Sequence, residues 1–191
     1  QQALHNGMSI RKLFEQLTNV RESIHIPLVM MGYLNPIMQF GFETFCVECQ
    51  RVGVDGMIIP DLPMADYVNQ YKAIAERYGL EFIFLITPET SEERIREIDG
   101  YTNGFIYMVS SAAVTGTQNS FDSKVDYFNR INAMNLKNPR LIGFGISNKA
   151  TLDTVQQYSS GAIIGSAFIK ALNETQDVQK GVELLLKRLK E

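Results

Sequence analysis

The sequence has little of what metal and nucleophile chemistry is built from. Its 191 residues contain two histidines, His5 and His25, and two cysteines, Cys46 and Cys49. The histidines show no ligand spacing and no second cysteine pair exists, which argues against a zinc site. There is no GxGxxG and no Ser-His-Asp set. No apolar run approaches the roughly 18 residues that span a bilayer. The stretch Gln1-Gln2-Ala3-Leu4-His5-Asn6 has neither a basic nor a long apolar region, so it is not a secretory signal. It also lacks an initiator methionine and reads as the start of a fragment. The formal charge of -3 implies neither a nucleic acid nor an anionic membrane as partner.

The two cysteines stand in a CxxC, but Phe42, Phe45, Cys46, Cys49 and Val52 recur at helical spacing on one face. That pattern predicts buried core thiols, and free thiols fit a reducing cytoplasm. At 45% hydrophobic and 20% charged residues the composition is that of a soluble globular protein. We find no linker, no low-complexity segment and no run of like charge, so residues 1–191 are read as a single domain.

The order of segments carries more information than any one of them. Apolar runs at 26–31, 56–59, 81–86, 105–109, 140–143 and 161–164 read as buried strands. Amphipathic or capped stretches at 9–24, 40–52, 65–78, 91–98, 121–134, 148–158 and 178–190 read as helices, with a short helical turn over 167–171. Ser91 is placed to cap its helix, with Glu92 and Glu93 in the first turn. Strands alternating with helices, without hairpin signals, predict an α/β fold with a parallel sheet covered on both sides. An open doubly wound sheet and a barrel both satisfy this order.

In either architecture the working groups lie just beyond the carboxyl ends of the strands. After the last two strands come Phe144-Gly145-Ile146-Ser147 and Gly165-Ser166-Ala167. Glycine lets backbone approach an anion, and a helix start directs N–H groups at it, so these turns suit a phosphate; tight turns chosen for geometry alone are the plainer reading. The segment 110–120 is small, polar and uncharged, as suits either a lid that closes over substrate or a flexible surface loop. Tyr107 either offers its hydroxyl at the mouth of the sheet or is a packed aromatic. Asp61, at a strand end, is an acid or base, a helix cap, or a contact for a partner surface.

Five stretches together resemble the tryptophan synthase alpha chain family: 31–37 (MGYLNPI), 53–63 (GVDGMIIPDLP), 107–110 with 114–116 (YMVS, VTG), 143–147 (GFGIS) and 165–167 (GSA). They occur in family order along the whole chain. The resemblance implies a (β/α)₈ TIM barrel, of which these residues supply about strands 3 to 8, some two βα units being absent. It implies cleavage of indole-3-glycerol phosphate to indole and glyceraldehyde 3-phosphate without metal or organic cofactor. It also implies a cytoplasmic αββα complex in which indole passes to a beta chain that carries PLP. By the same resemblance Gly116, Phe144, Gly145, Gly165 and Ser166 bind the phosphate. Met31, Ile58 and Tyr107 line the indole pocket, Tyr107 near the catalytic acid. Thr115 belongs to the mobile lid and helps hold a catalytic aspartate. Asn35 and Asp61 face the beta chain.

The sequence departs from the family where Ser111-Ala112-Ala113 replaces an Arg-Ala-Gly or Arg-Ser-Gly of the lid. The catalytic glutamate and aspartate of the family are expected before Gln1, so residues 1–191 alone are expected to be inactive and poorly stable. Two other functions are compatible with the phosphate turns: another phosphate-binding barrel enzyme of amino-acid biosynthesis, and a non-catalytic activator of a beta chain.

Overall fold

Apolar strands that cannot face water, joined by helices, leave one economical arrangement, parallel pairing with the helices as crossovers. The structure, a computed structural model, describes residues 2–109, 120–143 and 145–191. The described residues form two parallel sheets. The first contains β1 (Val29–Met31), β2 (Gly56–Ile58) and β3 (Glu81–Phe82) in that order. The second contains β4 (Leu85–Ile86), β5 (Ile106–Val109), β6 (Arg140–Gly143) and β7 (Gly161–Ile163), also in order. The chain divides into two compact units, Gln1–Phe84 and Leu85–Glu191. The strand expected over 81–86 is therefore two short strands in different sheets. Ile83 still donates to Met57 O at 2.9 Å, whereas Leu85 pairs with Tyr107.

In the first unit α1 (Gln2–His5) precedes α2 (Ile10–Leu17), which Ser9 caps by accepting from Lys12 N. The helix expected over 9–24 ends there, and a 3₁₀ turn at Val20–Glu22 follows. α3 (Leu34–Phe40) was not expected, because Asn35-Pro36 reads as a loop signal. Pro36 lies in the first turn, where its missing N–H has no intrahelical partner to lose. Gly41, at φ +95, separates α3 from α4 (Phe42–Val52), so the helix expected over 40–52 begins two residues later. α5 (Met64–Asp66) runs through a π turn at Tyr67–Tyr71 into α6 (Lys72–Arg77).

The predicted apolar face of α4 is the buried one, with Cys46 and Cys49 fully inaccessible. Phe14 meets Phe45 edge-on at 5.2 Å, and Tyr67 stacks near Phe82 and Phe84 at 4.6 and 5.1 Å. Each such side chain contributes about 1.5–3 kcal/mol by leaving water. β1 departs furthest from the burial expectation, and β7 is half-buried throughout. β1 has one neighbour, β2, among the described residues, and Val29 and Met31 are 40% and 57% exposed.

One side chain ties the entry to β1. The Arg21 guanidinium donates to the carbonyls of Ile24, Ile26 and Gly53 and to the Asp55 carboxylate. Asp55 in turn accepts from Leu28 N at 2.7 Å. Gly53 ends α4 in the left-handed region at φ +83, and a Cβ there would lie 2.7 Å from Arg21 Cγ.

In the second unit Ile86, Ile106, Met108 and Ile142 are inaccessible to solvent. The covering helices are α7 (Glu92–Tyr101), α8 (Ser120–Ala133), α9 (Lys149–Gln156), α10 (Ser166–Thr175) and α11 (Val178–Lys190). Ser91 caps α7 as predicted, by accepting from Arg94 N. α10 has ten residues where a short turn was expected. Gly181 of α11 lets that helix approach it, since a Cβ at Gly181 would fall 2.7 Å from Leu172 Cδ2. Among the described residues no helix is long and apolar enough to cross a membrane.

Two predictions follow from this packing. Gly53→Ala combines left-handed strain with displacement of Arg21, whereas Gly79→Ala, at φ +70 with open space around it, carries the strain alone. Urea unfolding should show Gly79→Ala costing about 1–2 kcal/mol and Gly53→Ala costing more; equal costs would remove the Arg21 clamp from the account. Burial pushes the Cys46 thiol up to about 12 and the Cys49 thiol higher still, with carboxylates adding to both shifts and the neighbouring Cys46 to that of Cys49. Both therefore stay protonated at pH 8, and a thiol reagent should label neither until the chain is unfolded.

Candidate functional site

Parallel pairing places the carboxyl ends of β4, β5, β6 and β7 at one end of their sheet. Gly143 pairs with Ile163, so Gly145 and Gly165, each two residues further on, leave adjacent strands at the same level. Gly145 is exposed and holds φ +82, a conformation that side chains disfavour. Gly165 is the N-cap of α10 and Ser166 its first residue, both exposed.

The N-terminus of α10 differs from its neighbours in how its backbone donors are used. α9 is closed by a capping box, in which Asn148 accepts from Thr151 N and Thr151 Oγ1 accepts from Asn148 N. α11 is capped by Asp177 through Lys180 N. α10 has no side-chain cap, because glycine supplies none. Among the described residues no side chain caps its first N–H groups, and an anion would satisfy both these donors and the positive end of the helix dipole.

Tyr107 lies on β5 between Leu85 and Leu141 in the ladder and is 6% exposed. Its ring rests on Gly143 of β6. A Cβ there would come within 2.3 Å of Tyr107 Cε2 and 2.4 Å of the hydroxyl oxygen. Burial pushes the phenol up, so it stays protonated at neutral pH. Of the two readings of Tyr107, the packed aromatic describes its ring. The role of Gly143 as its seat is what the sequence did not reveal, since a glycine ending the strand at 140–143 carries no sign of a partner 36 residues earlier.

In the first unit Met31 and Ile58 are partners across β1 and β2, with Met31 57% exposed and Ile58 buried. Beyond them Asp61 Oδ1 accepts from Leu34 N at 2.9 Å. Asp61 thus caps α3, the helix that precedes it in sequence, rather than the one that follows. This bond brings the turn carrying exposed Asp61 beside the start of α3, where exposed Asn35 sits. Thr115, Gly116 and Phe144, with the expected lid over 110–120, lie outside the described residues except for Ser120 at the start of α8. Among the described residues no group of three or more His, Cys, Asp or Glu is placed to hold a metal ion.

Against known proteins, the family model described as tryptophan synthase alpha chain matches residues 1–191. The tryptophan synthase alpha chain of Parabacteroides distasonis is 61% identical over 191 residues, which are 100% of this chain and 74% of the relative. That of Bacteroides thetaiotaomicron is 60% identical over 190 residues, 99% of this chain and 74% of the relative. Among solved structures, a chain of the tryptophan synthase α2β2 complex of Pyrococcus furiosus aligns with a TM-score of 0.84 at 31% identity, covering 99% of this chain and 75% of that one. The alternation of strands and helices is thus that of the α/β class, in its (β/α)₈ TIM-barrel form. In sequence and in fold the chain belongs to the tryptophan synthase alpha chain family.

Proposed function

We propose that this chain acts as the alpha subunit of tryptophan synthase, a lyase cleaving indole-3-glycerol phosphate to indole and glyceraldehyde 3-phosphate beside a cytoplasmic beta chain. The observation that carries the reading is the pair of adjacent glycine turns after β6 and β7, the second of which is the start of α10 and carries no side-chain cap. A phosphate seated there accepts from backbone N–H groups that otherwise have no side-chain cap, near the positive end of a ten-residue helix.

The other assignments follow from the resemblance together with position. Gly145, Gly165 and Ser166 hold the phosphate, joined by Phe144 and Gly116. Tyr107 lines the pocket, and Met31 and Ile58 form part of the indole slot. Thr115 supports the lid, while Asn35 and Asp61 face the beta chain, which supplies PLP for its own reaction. The proposed cleavage breaks the bond between the indole ring carbon and the glycerol chain. A proton arrives on that ring carbon, and the adjoining hydroxyl loses its proton as it becomes the aldehyde. The resemblance assigns both proton transfers to a glutamate and an aspartate of the family, while the groups named here bind and orient. Both compact units belong, on this reading, to one partial barrel domain, a view supported by family similarity that runs through 1–191.

Gly165→Asp places a carboxylate at the start of α10. Calorimetric titration with indole-3-glycerol phosphate should show at least a tenfold loss of affinity, about 1.4 kcal/mol; unchanged affinity would sink the phosphate assignment. Gly143→Ala should push the Tyr107 ring from its seat, costing about 1–3 kcal/mol of stability and weakening the same binding. A protein that tolerates the methyl with wild-type affinity would show that Tyr107 does not shape the pocket. Stimulation of a beta chain without indole release would favour the non-catalytic activator over the lyase.

A further inference from the structure

The turn that follows β4 is gripped by one helix. Ile86 O accepts from Tyr127 Oη at 3.2 Å, Pro88 O from Arg130 Nη2 at 2.8 Å, and Thr90 O from Arg130 Nη1 at 3.2 Å. Tyr127 and Arg130 stand three residues apart on α8, hence on one face of it. The guanidinium carbon lies 5.6 Å from the Tyr127 ring centroid, within cation–π range. Burial pushes the Tyr127 phenol up, so its hydroxyl remains a donor throughout the working pH range.

The turn also closes on itself. Thr87 N donates to Thr90 Oγ1 at 2.9 Å, and Thr90 N to Thr87 O at 3.0 Å. Its carbonyls are then met from outside by a part-buried arginine that makes no ion pair with a carboxylate among the described residues. Directing a part-buried guanidinium at neutral carbonyls fixes backbone position: the planar fork reaches two acceptors at once, which an apolar side chain cannot do. The place so fixed is specific. Leu85 pairs with Tyr107 and Ile86 with Met108, so the turn begins one rung beyond that of Tyr107 and lies at the same end of the sheet as Gly145 and Gly165.

We propose that Arg130, assisted by Tyr127, is a positioning residue for substrate, holding the turn at 87–90 as a wall beside Tyr107 against which the aromatic part of the substrate is placed. This rests on the reading of the site given above. Arg130 touches no substrate; it acts through the turn. The phosphate end, on the turns after β6 and β7, does not depend on it.

That separation supplies the test. Arg130→Met and Arg130→Lys are compared with the unmodified protein by calorimetric titration with indole-3-glycerol phosphate and, separately, with inorganic phosphate. Amide exchange is followed at Thr87 and Thr90. Arg130→Met should weaken indole-3-glycerol phosphate binding fivefold or more and speed both amides tenfold or more, with inorganic phosphate affinity unchanged within twofold. Arg130→Lys, still able to donate to one carbonyl, should recover part of the loss. Equal weakening of both ligands indicates a general structural role and overturns the proposal, as does unchanged affinity for both. An unmodified protein that binds inorganic phosphate but not indole-3-glycerol phosphate removes the functional reading instead. Unaltered exchange at Thr87 and Thr90 in Arg130→Met removes the positioning claim separately.

Discussion

Parallel pairing is the constraint from which the rest of this molecule takes its place. Parallel neighbours cannot be joined by tight hairpins, so each strand must hand the chain to a helix before the next begins. The carboxyl ends of β4 to β7 therefore stand side by side, and the helix starts come with them. Gly145 and Gly165 become neighbours because Gly143 pairs with Ile163, and the ring of Tyr107 crosses to Gly143 because β5 and β6 are adjacent. None of these groups is near its partner in sequence. Burial of Ile86, Ile106, Met108 and Ile142 holds the register, since a one-residue slip would turn every side chain to the other face.

A second theme is the use of long cationic side chains to hold backbone. Arg21 collects three carbonyls and Asp55 around the entry to β1, and Arg130 collects two beyond β4. Arg96 reaches Met134 O at the end of α8. Irregular segments at strand ends cannot satisfy their carbonyls within a ladder, and water is partly excluded from them. A guanidinium with five donors answers several such acceptors at once. The surface ion pairs, such as Lys149 with Asp153, are exposed and contribute little by comparison.

How much of this the sequence shows depends on whether the signal is local. The stripe Phe42, Phe45, Cys46, Cys49, Val52 ended by Gly53 is a local pattern, and the structure buries every member of the stripe. The Ser91 cap is equally local. The division of 81–86 between two sheets is not, because Ile83 and Phe84 are as apolar as the strands on either side. α3 is hidden by Asn35-Pro36, a loop signal that a first helical turn tolerates. In the site, the glycine turns were legible as turns, whereas the work of Gly143, Arg130 and the Asp61 cap on α3 depends on partners distant in sequence. Composition and spacing are silent on such pairs.

The central claim is that an anion is held by the open donors of α10 and the adjoining turn after β6. Titrating the isotopically labelled protein with inorganic phosphate while recording backbone amide spectra tests it most directly. The account predicts saturable shifts at Gly145, Ser166 and Ala167, with little change at Lys149 and Ala150, whose helix start is already occupied by its capping box. Shifts of similar size at both helix starts, or none at Ser166, would contradict it.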